Sequence, residues 1–289
     1  MSIRNIGGAI LAVVIAIAAP MSDAFAQSKG KVLVVMSSAH ELDLKGGKTY
    51  STGYYLNEFV VPYRKLIAAG YEPVIASPKG DLPVMDANSN NAMFFGGDDA
   101  ARVDALAYAQ GLEQLKHPKT LASVIAEGTQ GYVGLFIPGG HAPMADLITD
   151  KNLGKILTSF HGTGRTTGII CHGPVVLLSA LPNADAFKAS MIANDGKASS
   201  LAAGWPYAGY RVTVFSTGEE QVLEGPNGLG GNVQFYPVNA LAEAGARVES
   251  IANWHPNVVV DRELITGQQP MSAPAFGDAL VAALNAQKK

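Results

Sequence analysis

The chain has 289 residues, 48% hydrophobic and 16% charged, with a formal net charge of -3. This is an ordinary globular composition, enough for one large domain or two small ones, and its near-neutral balance lacks the basic face that a nucleic-acid partner requires. The single cysteine, Cys171, excludes an internal disulfide.

Arg4, an apolar run over 10–19, Pro20 and then Ala24-Phe25-Ala26 have the layout of a secretory signal peptide with a small-x-small cleavage site. The run is too short for a comfortable membrane span. Residues 1–26 are therefore expected to be removed. The mature chain would start near Gln27 and be periplasmic or secreted, with no stable membrane association. In an oxidising compartment a lone thiol is either buried and inert or kept for chemistry.

The run at 31–38 (KVLVVMSS) suits a central parallel strand buried on both faces. A polar loop is expected over 39–52, then a helix from about 53 to a stop at Gly70, kinked at Pro62 or beginning there. A second strand follows over 71–77. Residues 79–119 read as an insertion carrying a helix over about 98–115; as a cover beside an active site or as a surface excursion it reads equally well. The third strand, 132–137, ends in Pro138-Gly139-Gly140-His141 and leads into a helix from about 142, with another over 152–160.

The stretch 166–174 (TTGIICHGP) then reads as a buried strand running into Cys171, a turn at Gly173, and a helix opened by Pro174 and walled by Val175 to Leu178. Further strands are expected over 210–215, 247–251, 258–260 and 264–267. A capped helix or turn should hold Glu219 and Glu220, and helices should cover 235–244 and 273–286. Strands alternate with helices and no linker divides the chain, so 27–289 is expected to be one α/β domain, a mainly parallel sheet with helices on both faces.

Such a sheet gathers the loops after Ser38, Gly139 and Cys171 at one edge. A residue at a strand-to-helix elbow is lifted toward that edge, beside backbone amides of the next helix. Cys171 there is placed to act as a nucleophile if a base or a depressed pKa activates it, and His172 is the adjacent candidate. No His-x-His, His-Glu-x-x-His or cysteine pair is present, and His40-Glu41 reads as a solvated loop, so no metal is expected. The glycine-rich 225–231 lacks the strand and the lysine of a phosphate loop, and no cofactor is expected.

Pro138-Gly139-Gly140-His141 with Ile170-Cys171-His172-Gly173-Pro174 resembles the ThiJ/PfpI superfamily, and 53–78, 210–220 and 264–274 resemble its glutathione-independent glyoxalase (glyoxalase III) branch. The resemblance covers essentially all of the mature chain. It implies a three-layer flavodoxin-like sandwich and a homodimer. It also implies Cys171 as nucleophile, His172 beside it, Glu58 against the thiol, and Glu220 (or its neighbour Glu219) orienting the histidine. Gly139, Gly140 and His141 would form the oxyanion and substrate-binding side. The implied activity converts a small reactive carbonyl, a 2-oxoaldehyde such as methylglyoxal, into a 2-hydroxy acid, or is that of a related deglycase. A cysteine peptidase or amidase, and a holding chaperone or oxidative-stress protein, are the alternatives. Glutamine hydrolysis is disfavoured, because the chain lacks the glycine two before the nucleophile. Trp254-His255-Pro256-Asn257 also carries asparagine where amidotransferases carry an acid.

Overall fold

The protein is described by a computed structural model over residues 28–287; the expected signal peptide lies outside the described residues. The strands are β1 (Lys31–Val35), β2 (Glu41–Asp43), β3 (Thr49–Ser51), β4 (Glu72–Ser77), β5 (Lys119–Thr120), β6 (Tyr132–Ile137), β7 (Thr167–Ile170), β8 (Arg211–Val212), β9 (Arg247–Val248), β10 (Val258–Asp261) and β11 (Leu264–Gly267). Seven form one sheet in the order β10-β11-β7-β6-β1-β4-β5. Every neighbouring pair is parallel except β10 with β11.

The apolar runs are continuous because both faces of this sheet are covered. Along β1 the side chains alternate: Val32 and Val34 join one apolar layer, while Leu33 and Val35 join the other. In β6, Phe136 faces the first layer and Leu135 and Ile137 the second. The first layer is closed by helices Leu56–Ala68 and Ala273–Ala286, the second by Lys151–Gly162 and the turn Gly173–Ala180. This is the expected three-layer sandwich. Among the described residues no helix is long and apolar enough to cross a membrane.

Several local expectations are corrected. The loop at 39–52 contains the β2–β3 hairpin. The first helix starts at Leu56, with Pro62 in its interior. The missing N–H of Pro62 removes the bond to the Glu58 carbonyl, and Gly277 of the last helix approaches so closely there that an added Cβ would lie 3.2 Å from the Pro62 Cα. The insertion's helix is Asp99–Gly111, ending at Leu112 before a short turn of helix Glu113–Lys116. Gly173–Ala180 is a 3₁₀ helix. Of the strand expected over 210–215 only β8 forms, paired with β9 apart from the main sheet. Residues 213–215 are as buried as a strand, but their amides bond elsewhere: Thr213 N–H donates to Thr266 Oγ1 and Phe215 N–H to the Cys171 carbonyl.

β1 lies between β4 and β6, so the chain order reverses at β1 and a crevice opens at the carboxyl ends of β1 and β6. β7 is the next strand along, and its end delivers Cys171 to that edge.

Candidate active site

Cys171 leaves β7 with φ 65°, a left-handed conformation that a non-glycine residue holds only when its surroundings impose it. Here they do. The Cys171 N–H donates to the Gly267 carbonyl at 2.9 Å, and its carbonyl accepts from Phe215 at 2.9 Å. Gly173 completes the elbow, since a Cβ there would sit 2.7 Å from Ile169 Cγ2. The thiol is directed back toward the first helix, and its residue is 1% exposed.

Two acid/base groups flank the sulfur. On one side is Glu58, fully buried in the first turn of Leu56–Ala68. Neither carboxyl oxygen has a conventional hydrogen-bond partner. Burial pushes the carboxyl up to about 8, a rise opposed by its contact with the Cys171 thiol. Burial likewise pushes the thiol well above its ordinary value; Glu58 adds to that rise, while the amides of Gly140 and His172 act against it. At neutral pH the resting thiol therefore keeps its proton, and Glu58 is mostly protonated with a minor carboxylate fraction.

Gly139 is where these groups converge. A Cβ there would lie 2.4 Å from Cys171 Cβ and 2.6 Å from Glu58 Oε2. Gly139→Ala is accordingly expected to lose activity and to cost about 1–3 kcal/mol through overpacking, visible as a thermal midpoint lower by roughly 3–10 °C. Gly140 has φ 95°, and its Cβ would meet the Gly53 carbonyl oxygen at 2.1 Å. Only glycines let this backbone reach the sulfur.

On the other side His172 Nδ1 lies 3.3 Å from Cys171 Sγ. His172 Nε2–H donates to Glu220 Oε2 at 2.7 Å, and His141 Nε2–H to Glu220 Oε1 at 2.7 Å. Burial, then the neighbouring His141, lower His172 to about 4 against the pull of Glu220. Its Nδ1 is thus an unprotonated acceptor facing the thiol. Burial alone would raise Glu220, but the two histidines outweigh it and hold the carboxylate well below its ordinary range. The His172 ring is clamped between His141 (centroids 3.8 Å) and Phe215 (4.3 Å).

Geometry separates the adjacent glutamates. Glu219 closes the capping box of helix Thr217–Leu223 with Ser216, and it also accepts from Trp254 N–H and Gln268 Nε2. One helical step separates the two acids, so Glu219 anchors the loop while Glu220 reaches the histidines. His141, expected on the oxyanion and substrate-binding side, lines the cavity and is also tied to Glu220. Its Nδ1 is buried without a partner.

His141, His172 and Glu220 bring one possible ligand atom each within 4.8 Å of one another, the one such group among the described residues. Sequence spacing could not reveal it, because the three come from separate loops. The donor set would suit a divalent transition metal, but only by displacing the two hydrogen bonds that orient His172.

Sequence reasoning also missed the walls of the site. A cavity of about 450 Å³ opens over Cys171, His141 and His172, walled by Tyr55, Phe94, Phe215, Trp254, Met93 and Met271 among others. The insertion supplies Met93 and Phe94, so it covers the site. Asn57 Nδ2 fastens it there, donating to the carbonyls of Phe94 and Pro270. Trp254 comes from the Trp254-His255-Pro256-Asn257 stretch. It is Trp254, with φ 62°, that lines the cavity, whereas His255 is exposed.

Comparison with known proteins places this geometry. Residues 50–183 match the DJ-1/PfpI family. A protein/nucleic acid deglycase HchA of Staphylococcus aureus is 28% identical over 265 residues, spanning 89% of this chain and 81% of that protein. The rapid encystment protein of 24 kDa from Francisella tularensis is similar in structure, with a TM-score of 0.64 at 25% identity, covering 88% of this chain and 99% of that one. Glyoxalase III of Candida albicans shares the fold, with a TM-score of 0.66 at 22% identity over 88% of this chain and 97% of that one.

Proposed function

Because this chain belongs to the ThiJ/PfpI superfamily, we propose that it is a glutathione-independent glyoxalase, turning a 2-oxoaldehyde and water into a 2-hydroxy acid. The observation that carries this reading is the flanking of one thiol by two different proton-handling groups, Glu58 and the Glu220-anchored His172. Amide hydrolysis asks for one base beside the nucleophile. Isomerising a 2-oxoaldehyde also requires a proton to leave one carbon and arrive at its neighbour.

The reaction balances without an external oxidant. Cys171 Sγ bonds to the aldehyde carbon, its proton passing through His172 Nδ1 to the former aldehyde oxygen, which gives a hemithioacetal. A base removes the hydrogen of that carbon, an enediol forms, and protonation of the adjacent carbon leaves a 2-hydroxyacyl thioester. The first carbon is thereby oxidised and the second reduced. Water then breaks the C–S bond, releasing the hydroxy acid and restoring the thiol.

Basicity assigns the carbon proton to the carboxylate form of Glu58, the fraction that grows as the pH approaches 8. A general base works best with a pKa near the operating pH. Glu58 at about 8 meets that condition, and His172 at about 4 is too weak. Glu58, once protonated, is the acid that serves the neighbouring carbon. The amides of Gly140 and His172, both directed at Cys171, are positioned to stabilise the oxyanion, worth about 3–4 kcal/mol for one such donor. The cavity wall has no lysine or arginine to hold the carboxylates of glutathione, consistent with a protein thiol in its place.

The test is lactate formation from methylglyoxal by the mature protein with no glutathione present; no lactate from wild type sinks the proposal. The deglycase reading draws support from the named S. aureus relative. It would be favoured by release of free amine from a methylglyoxal-treated lysine derivative, without lactate from the free aldehyde. The Ala24-Phe25-Ala26 pattern supports export, which would put the reaction outside the cytoplasm. Intact-mass measurement on protein recovered from a periplasmic extract is expected to give a chain starting at Gln27, and a full-length chain in the cytoplasm would refute export.

A further inference from the structure

The cavity over Cys171 is far larger than a three-carbon aldehyde needs. At about 450 Å³ it falls in the range of sites that enclose drug-sized ligands. Its walls are chemically uniform. No lysine, arginine, aspartate or glutamate is among the residues lining it, and its side chains with polar atoms are Cys171, His141, His172, Tyr55 and Trp254. The rest of the lining is aromatic, aliphatic and sulfur-bearing, and Phe215 stacks directly on His172 at 4.3 Å. Tyr55 meets Phe94 edge-on at 5.3 Å, and Phe215 meets Trp254 edge-on at 6.0 Å. Met93 and Val222 stand at the rim, 52% and 60% exposed.

We infer that the physiological substrate is a 2-oxoaldehyde bearing a bulky apolar substituent, aromatic or branched alkyl, on its ketone carbon. This rests on the glyoxalase reading and deepens it. The reactive dicarbonyl end meets the thiol and the two histidines; the substituent fills the slot between the aromatic pairs, where edge-to-face contacts add to burial. A glycated lysine or arginine fits less well, because a cationic side chain would enter a wall that offers no carboxylate and would lose its hydration. A methyl substituent leaves most of the slot filled with water, so its binding energy goes unused.

The test compares methylglyoxal with phenylglyoxal on the mature protein, following lactate and mandelate without glutathione. The expected result is a kcat/KM for phenylglyoxal roughly 10–100-fold above that for methylglyoxal, the range of discrimination apolar pockets achieve. Trp254→Ala is expected to pull the ratio toward one. Met93 is half exposed, so its truncation spares the core, and Met93→Ala is expected to lower the ratio severalfold.

A binding arm keeps this independent of turnover. Calorimetric titration of Cys171→Ser with the neutral ketones acetophenone and acetone is expected to detect at least tenfold tighter binding of acetophenone. Turnover of methylglyoxal with a ratio of one or less, and no preference for acetophenone, overturns the inference and leaves the glyoxalase standing. Absence of turnover on both aldehydes, with acetophenone still preferred, defeats the glyoxalase and leaves the apolar slot. Absence of turnover and of preference defeats both.

Discussion

Cys171→Ser is expected to lower kcat/KM for 2-oxoaldehydes by roughly 10⁴-fold or more, the scale seen when a covalent nucleophile is removed. Serine keeps the shape of the elbow, and the bonds from Cys171 N–H to Gly267 and from Phe215 N–H to the Cys171 carbonyl involve backbone alone. Circular dichroism and the thermal midpoint should therefore stay close to wild type. A hydroxyl in this buried place has the same two neighbours but a far less acidic proton, and His172 at about 4 is not basic enough to take it. Hydroxy-acid formation by Cys171→Ser at more than about a hundredth of the wild-type rate would rule out the thioester route.

Glu58→Gln separates activity from stability. If Glu58 moves the carbon proton, kcat/KM of the wild type rises with pH and levels off near 8, and the variant loses both that limb and roughly 10²–10⁴-fold in rate. The effect on folding runs the other way. The Glu58 pKa is about 8 in the folded chain against 4.5 ordinarily. Between those values the native state holds a proton that the unfolded state has released. The stabilisation is therefore complete below about pH 4.5 and is lost as pH rises through about 8. Glutamine does not titrate. Relative to Glu58→Gln, the wild type should weaken by on the order of a few kcal/mol between pH 5 and pH 8.5, which thermal melts would register as a relative change of roughly 5–10 °C. A constant difference between the two proteins across that range would mean that Glu58 is not held protonated in the folded state.

The catalytic elbow was legible because its signals are local. A buried apolar run, a lone cysteine, a glycine and a proline in consecutive places admit few conformations, and Cys171 stands where they put it. The two glycines at 139 and 140 were equally readable: Gly139 is required by close approach to Cys171 and Glu58, and Gly140 by its positive φ and its approach to the Gly53 carbonyl. The strand at 210–215 misled for an instructive reason. Apolar alternation reports burial, and burial is there, but the hydrogen bonds that would extend the ladder go to Thr266 and Cys171 instead. The split between Glu219 and Glu220 was beyond local reading, because both lie in the first turn of one helix and both are fully buried. The family match ends at residue 183, so it leaves this acid to be placed by geometry.

By itself the sequence determined the class of fold, a mainly parallel α/β sandwich, and the place of the proposed nucleophile, for strand runs and tight turns are encoded over a few neighbouring residues. Tertiary structure alone decided how the Cys171 thiol is tuned and what it can reach. Glu58 is an ordinary acid on an amphipathic helix until the sheet, Gly139 and the thiol remove its water and push its pKa up to about 8. His141 and His172 become one unit only when Glu220 arrives from a distant loop to hold both. The apolar slot draws its walls from the insertion, from 215–223 and from Trp254 through Met271. Desolvation and cavity shape are sums over residues far apart in the chain, and no stretch of sequence carries them.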